Sequence, residues 1–300
     1  MKAMILAAGF GTRLGPLTEK RPKALMPIAN IPVIDRVIAY LASHGVKEIV
    51  INAHHHADQM LAHFSKAQKA NIPIHLVVEK EILGTGGGIK NVEDFFDKEP
   101  FIVINADILT DINLARPLEI HQGHGHLATL ILHDCPPFNQ VRVDEDRGIV
   151  GFEKRPTPGL LAFTGIHILS KRILDYIPKD TFSNIIYVYR NVIQHSGIIN
   201  YYLSKDHYWR DVGTIKSYIQ ANKERLAGQR FLLSPNASIH PSAKLDGWAV
   251  VGASTHVGKE AFVKDSILWE RIQIGPNAHV IGSIVTQDIG EKKVVKNQVV

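Results

Sequence analysis

The chain has 300 residues, 45% apolar and 21% charged, with a formal net charge of +5. That is the balance of an ordinary globular chain of one large domain or two smaller ones, and no apolar run approaches the roughly 20 residues needed to span a bilayer. Its basic residues are scattered among acids without a Lys/Arg-rich block, which argues against nucleic acid; the mild positive balance suits small phosphorylated substrates equally well, and the single cysteine, Cys135, rules out an internal disulfide and suits a reducing cytoplasm.

The apolar run from Ala3 to Ala8 reads as a buried strand, and Met1-Lys2 leads straight into it, so no signal peptide is expected ahead of it. A glycine loop follows, Gly9-Phe10-Gly11-Thr12-Arg13-Leu14-Gly15. Ile34, Val37, Ile38 and Leu41 recur at helical spacing, with Gly45 as the stop. Glu48 to Ala53 reads as a strand, Asp58 to Ala67 as a helix and Ile74 to Val78 as a strand. Gly84-Thr85-Gly86-Gly87-Gly88 opens a helix that ends near Phe96, and Phe101 to Asn105 is the next strand, ending at Asp107. Alternating strands and helices predict a doubly wound, mostly parallel α/β sheet, in which ligands bind at the carboxyl ends of the strands.

From Leu127 to Ile168 the pattern changes to short β runs: Ala128-His133, Gln140-Val143, Ile149-Phe152 and Leu161-Ile168. They predict a second lobe adjoining the sheet. Helical spacing returns at Arg172-Ile177 and Ile185-His195, and the strand-like Ile198-Leu203 leads to Trp209-Arg210-Asp211-Val212-Gly213-Thr214. A helix from Ile215 to about Leu226, stopped by Gly228, closes the α/β part. Beyond it Ile239, Leu245, Val251, Val257 and Val263 recur every six residues. The register slips by one after Trp269 and resumes at Ile274 and Val280. A six-residue aliphatic period predicts a short left-handed parallel β-helix of hexapeptide repeats, about three coils long. The expected domains are therefore residues 1–230 and 231–300.

Glycines directly after a strand let backbone N–H groups close around an anion, because no Cβ blocks the approach. The loop is not a Rossmann fingerprint, since position 14 is Leu where a third Gly belongs. It is not a Walker A loop either, because Lys23 lacks the Gly before it and the Ser or Thr after it. Asp107 and Asp211 stand at loop tips, as hard oxygen ligands for Mg²⁺ do. The run His54-His55-His56 has no cysteine cluster behind it and reads as a strand-end loop rather than a metal site.

The ordered set Gly9-Phe10-Gly11-Thr12-Arg13, Pro16-Leu17-Thr18 and Pro22-Lys23 resembles the signature of sugar-1-phosphate nucleotidyltransferases, or NDP-sugar pyrophosphorylases, and the resemblance runs over essentially the whole chain. It implies a Rossmann-like nucleotidyltransferase sheet. It also implies a reaction in which a sugar 1-phosphate attacks the α-phosphorus of an NTP and pyrophosphate leaves. On that resemblance Arg13 and Lys23 are catalytic. Leu6, Ala7, Ala8, Gly9, Gly11, Thr12, Arg13, Glu79, Gly84 and Thr85 bind the nucleotide. Lys23, Glu153, Lys154, Thr164 and Gly165 bind the sugar phosphate, and Asp107 and Asp211 hold Mg²⁺. The guanylyltransferase branch acting on mannose 1-phosphate is the nearest in look. GTP ranks ahead of UTP and dTTP as the expected donor, and a homo-oligomer is expected. A non-catalytic regulatory subunit built from the same two folds is the competing class; the presence of Arg13, Lys23, Asp107 and Asp211 favours catalysis.

Overall fold

The computed structural model describes residues 1–65, 72–195 and 197–300, apart from the side chain of residue 124. The chain divides into two compact units. One comprises Met1–Phe10, Pro22–Ala24 and Ile34–Asp211, the other Gly11–Arg21, Leu25–Val33 and Val212–Val300.

The first unit is built on a nine-stranded sheet. One side of it runs, from the edge strand Ile74–Val78, through Glu48–Ala53 and Lys2–Leu6 to Phe101–Asn105, all parallel. Met4, Val50 and Val103 point into one apolar core with Ile89, Phe96, Leu130 and Tyr189, all at most 1% exposed. The helix Val33–Ser43 buries the stripe expected of it: Ile34, Val37, Ile38 and Leu41 are each at most 4% exposed. The helix Ala57–Ser65 covers most of the expected span; positions 66 and 67 lie outside the described residues. The Gly84 helix stops at Asn91, and a 3-10 turn, Glu93–Phe95, completes the path to Phe96. The Arg172–Ile177 segment is likewise a 3-10 turn, Lys171–Tyr176, rather than an α-helix.

Parallel pairing is confined to this side and to Ile199–Ser204 against Ala128–His133, so the sheet is mixed rather than mostly parallel. Leu161–Leu169 runs antiparallel to Phe101–Asn105 and to Ala128–His133, and Asn139–Asp144 forms a hairpin with Gly148–Phe152. The turn between Asp144 and Gly148 is too short for anything but an antiparallel pair. The β runs expected to form an adjoining lobe are therefore hydrogen-bonded into the same sheet.

In the second unit, strands stack in parallel ladders. Partners are eighteen residues apart at Ser238 with His256 and Lys244 with Phe262, then seventeen apart at His256 with Gln273 and Phe262 with His279. The step from eighteen to seventeen falls at a register shift, where Asp246 pairs with Lys264 but Ala249 with Ser266, so it lies before Trp269 and not after it as the sequence spacing suggests. Val251, Val257, Val263, Ile274 and Val280 are all at most 2% exposed.

Among the described residues of the first unit, His121 and His167 are buried. The ring nitrogens of His121 lie 3.0 Å from the hydroxyls of Thr129 and Ser170, and His167 meets the Tyr189 hydroxyl. Burial, with the nearby His126 adding to it, pushes His121 down to about 4, and burial pushes His167 down to about 3. In the unfolded chain both titrate near 6.5. Below that pH the unfolded state binds protons that the native state does not, so stability is full above pH 6.5 and falls as the pH drops toward 4. We expect the urea midpoint to be flat between pH 7 and 8 and to decline between pH 6.5 and 5. A midpoint unchanged down to pH 5 would contradict neutral burial of both rings.

Candidate active site

Leu6 is in register with Asn52 on one side and Asn105 on the other, so three strands end level along one edge of the sheet. An asparagine closes two of those apolar runs, and Asn52 organises the edge. Its Oδ1 accepts from the Ala7 amide at 2.8 Å and its Nδ2 donates to Glu79 Oε1 at 2.7 Å. Glu79 Oε2 accepts from the Leu83 amide at 3.1 Å. Asn52 and Glu79 are 2% and 4% exposed, and a carboxylate so buried needs such donors. The chain Ala7–Asn52–Glu79–Leu83 thus fixes the start of the glycine loop against the start of the Gly84 helix. Gly88 is glycine because of it: a Cβ there would lie 2.8 Å from Asn52 Nδ2 and 2.9 Å from Glu79 Oε1.

The rest of the Gly84–Gly88 run faces the 181–185 segment. The Gly86 and Gly87 amides donate to the Ser183 carbonyl at 2.8 and 3.2 Å, and added Cβ atoms at Gly84, Gly86 and Gly87 would meet atoms of Thr181 or Ser183 at 2.6 to 2.8 Å. Thr85 Oγ1 accepts from the Ile185 amide at 2.9 Å and so, with Asn184, caps the helix Ile185–Gln194. These side-chain and amide contacts are internal packing, a use for the cluster that the sequence does not disclose.

Lys23 is brought to Asp107: its ammonium forms an ion pair with Asp107 Oδ2, with side chains 16% and 15% exposed. Directly after Asp107 the strand Ile108–Thr110 pairs antiparallel with Trp209–Asp211, placing Asp211 opposite Ile108. Three further bonds hold this two-stranded ribbon. Thr110 Oγ1 donates to the Tyr208 carbonyl at 2.8 Å, the Asp111 amide donates to the same carbonyl at 3.2 Å, and the Tyr208 amide donates to Asp111 Oδ1 at 2.7 Å. Two carboxylates about a hundred residues apart in sequence therefore share one strand pair. Among the described residues no group of three or more His, Cys, Asp or Glu could hold a metal. A carboxylate pair fits a hard cation that takes its remaining oxygens from phosphates and water, as Mg²⁺ does.

Gly165 sits in the bulge of Leu161–Leu169 with φ +77°, and a Cβ there would be 2.6 Å from Asn105 Nδ2. Neighbouring Thr164 is fully buried; its hydroxyl donates to the Ile131 carbonyl at 2.7 Å and its carbonyl accepts from Trp209 Nε1 at 2.9 Å. Glu153 and Lys154 lie just past the edge strand Gly148–Phe152. Glu153 is ion-paired with Arg142, and Gln140 Nε2 donates to the Lys154 carbonyl at 3.1 Å. The pair with Arg142 is solvent-exposed and adds little stability, on the order of 0–1 kcal/mol, so Glu153 can leave it.

In the second unit, Arg13 is exposed on a 3-10 turn, Thr12–Leu14, that follows Gly11. Buried Thr18 ties the turn shut, its hydroxyl within 3.1 Å of the Gly11 carbonyl and 3.0 Å of that of Gly15. Within the first unit the histidine run packs on Phe10, whose ring meets His54 edge-on at 5.5 Å and His55 at 5.8 Å, while His54 Nδ1 is 2.9 Å from the Glu79 carbonyl.

Residues 2–228 match the family model described as nucleotidyl transferase. The chain is 26% identical to UTP–glucose-1-phosphate uridylyltransferase of Synechocystis sp., over 95% of this chain and 87% of that protein. It is 27% identical to mannose-1-phosphate guanylyltransferase of Mycobacterium tuberculosis, over 91% and 80%. Among solved structures, HddC from Yersinia pseudotuberculosis complexed with GMP-PN superposes with a TM-score of 0.66 at 25% identity, covering 75% of this chain and 99% of that one. The chain belongs to the nucleotidyl transferase family. Within that family it is an enzyme of the sugar-1-phosphate nucleotidyltransferase class.

Replacing Gly88 by Ala pushes a methyl into the Asn52–Glu79 bond, and overpacking of this kind costs about 1–3 kcal/mol. We expect the G88A urea midpoint to fall accordingly, with weaker NTP binding by calorimetry. A variant with wild-type midpoint and affinity would mean that the buried pair does not hold the strand ends.

Proposed function

We propose that the protein transfers a nucleoside monophosphate from an NTP to a sugar 1-phosphate and releases pyrophosphate, with GTP and mannose 1-phosphate as the preferred pair. The observation that carries this reading is the convergence of Lys23, Asp107 and Asp211 at the carboxyl end of the Phe101–Asn105 strand. The likeness to the protein of M. tuberculosis named mannose-1-phosphate guanylyltransferase supports a guanine nucleotide as donor. UTP with glucose 1-phosphate is the second reading, favoured by the uridylyltransferase of Synechocystis.

A sugar phosphate oxygen attacks the α-phosphorus in line, and the bond to the departing pyrophosphate breaks. Such a reaction needs positioning and charge neutralisation rather than a covalent enzyme intermediate. Arg13 neutralises the triphosphate and the leaving pyrophosphate. Lys23 leaves Asp107 to hold the attacking phosphate beside the α-phosphate, offsetting the repulsion between two anions. Asp107 and Asp211 hold Mg²⁺, which when bound neutralises phosphate charge. Gly9 and Gly11 let the phosphates approach the backbone; Leu6, Ala7, Ala8 and Thr12 complete the loop around them. Glu79 serves the base site by fixing Leu83 and the Gly84–Thr85 backbone, and Glu153, Lys154 and Gly165 receive the sugar phosphate. Residues 1–230 form the catalytic domain. The eighteen-residue parallel ladders support reading residues 231–300 as a left-handed β-helix.

The test is pyrophosphate release with Mg²⁺ across a panel of NTPs and sugar 1-phosphates, where GTP with mannose 1-phosphate is expected to be fastest. Absence of release with every pair would sink the reading. In the same assay, Lys23→Met should lower kcat by on the order of 10²-fold, in line with loss of a preorganised charge, and leave NTP affinity nearly intact. Equal losses in both would contradict the role given to Lys23. Thermal shift ranks the donors independently, since a ligand at 100 times its Kd stabilises by about 2.7 kcal/mol.

A further inference from the structure

In the second unit the coil corner Trp269–Glu270 is packed against chain that lies far away in sequence. The Arg21 guanidinium lies over the Trp269 ring, 4.4 Å from its centroid. The same guanidinium forks onto Glu270, Nη2 to Oε1 and Nη1 to Oε2, the latter at 3.3 Å. The pair is three-quarters buried, with side-chain exposures of 22% and 27%. Burial pushes the Glu270 carboxyl up, but the hydrogen bonds and charge of Arg21 outweigh it and leave that group below the ordinary carboxylate range. From the other end of the corner, buried Trp269 Nε1 donates to Tyr218 Oη at 2.9 Å, and Tyr218 Oη donates to the Pro27 carbonyl at 2.8 Å. Two more bonds hold the turn beyond Pro27: the Ala29 amide donates to Asn222 Oδ1 at 2.8 Å, and Asn30 Nδ2 donates to the Val251 carbonyl at 3.0 Å. Gly252 makes room for the corner, since a Cβ there would lie 2.5 Å from the Glu270 amide nitrogen.

Arg21 and Pro27 stand two residues before and four residues after Lys23. The stretch that carries the proposed catalytic amine is thus tied at both ends to one corner of the C-terminal coils. We propose that Trp269–Glu270 is a positioning element for nucleotidyl transfer, bracing the backbone on either side of Lys23 through Arg21 and through Tyr218 and Pro27. The brace rests on the role given to Lys23 above. Arg21, Glu270, Trp269 and Tyr218 act through that backbone and touch no substrate. A planar guanidinium stacked on an indole and forked onto a carboxylate holds its own chain direction, which an ammonium does not do as well. Displacements of about 1 Å at a reacting group can cost 10²-fold in rate.

The experiment compares full-length wild type, Arg21→Gln, Glu270→Gln, the double variant and Arg21→Lys. Asp246→Asn, on an exposed pair of the same coils, is the control. We expect Arg21→Gln and Glu270→Gln each to lower kcat about tenfold, with the KM for NTP within about threefold of wild type, below the 10²-fold limit for misplacement. The double variant should be no slower than the worse single, Arg21→Lys should recover part of the loss, and Asp246→Asn should leave kcat unchanged. Hydrogen exchange supplies a readout independent of turnover: amides of residues 21–26 should exchange about tenfold faster in Glu270→Gln. Exchange and kcat unchanged in both single variants would overturn the brace. So would a kcat loss that vanishes once rates are normalised to the folded fraction. If the wild type releases no pyrophosphate at all, the reading of the reaction fails, while exchange still decides whether Glu270 braces this segment.

Discussion

The hydrogen bond between Asn52 and Glu79 is the constraint on which the strand-end geometry depends. Both side chains are almost wholly buried, and in so dry a place an unpaired amide or carboxylate is costly. Each therefore spends its remaining capacity on backbone, Asn52 on Ala7 and Glu79 on Leu83. The result is that two loops from different strands, one opening the glycine loop and the other opening the Gly84 helix, are fixed by the same two side chains. The size of residue 88 follows from the same bond.

Charge is organised a short way along the same sheet edge. Lys23 answers Asp107, and the ribbon formed by Ile108–Thr110 with Trp209–Asp211 brings a second carboxylate alongside. A cation and two acids gathered where strands end suit chemistry in which phosphate charge must be neutralised without a covalent intermediate. The bulge at Gly165 leans on Asn105, the residue two before Asp107, so the antiparallel part of the sheet also bears on the tip that carries that acid.

Much of this was readable beforehand. Ile34, Val37, Ile38 and Leu41 recur at helical spacing because one face of their helix is buried. The regular aliphatic spacing of the C-terminal segment goes with parallel ladders whose partners lie eighteen and then seventeen residues apart, the change falling between Asp246 and Ala249 rather than after Trp269. Spacing said less about glycines. Those of the Gly84–Gly88 run look alike in sequence, yet three make room for the Thr181–Ser183 backbone and one for a buried side-chain pair. Thr164 and Thr85 were expected near ligands, whereas their hydroxyls satisfy carbonyl and amide groups of the protein itself.

By itself the sequence determined most of the strands and several helices, because periodicity records burial of one face and needs only local spacing; it did not disclose the helix Ala115–His124 or that Lys171–Tyr176 winds as a 3-10 turn. It also marked Arg13, Lys23, Asp107 and Asp211 by their place in or near a motif that resembles the family's. Only the tertiary structure decided which of them meet. The pairing of Lys23 with Asp107, the register that sets Asp211 opposite Ile108, and the hold of Trp269 and Glu270 on Arg21 all join residues from about eighty to two hundred and fifty positions apart. Such contacts come from strand order and coil stacking, long-range choices made by burying the whole core at once, and no local pattern encodes them.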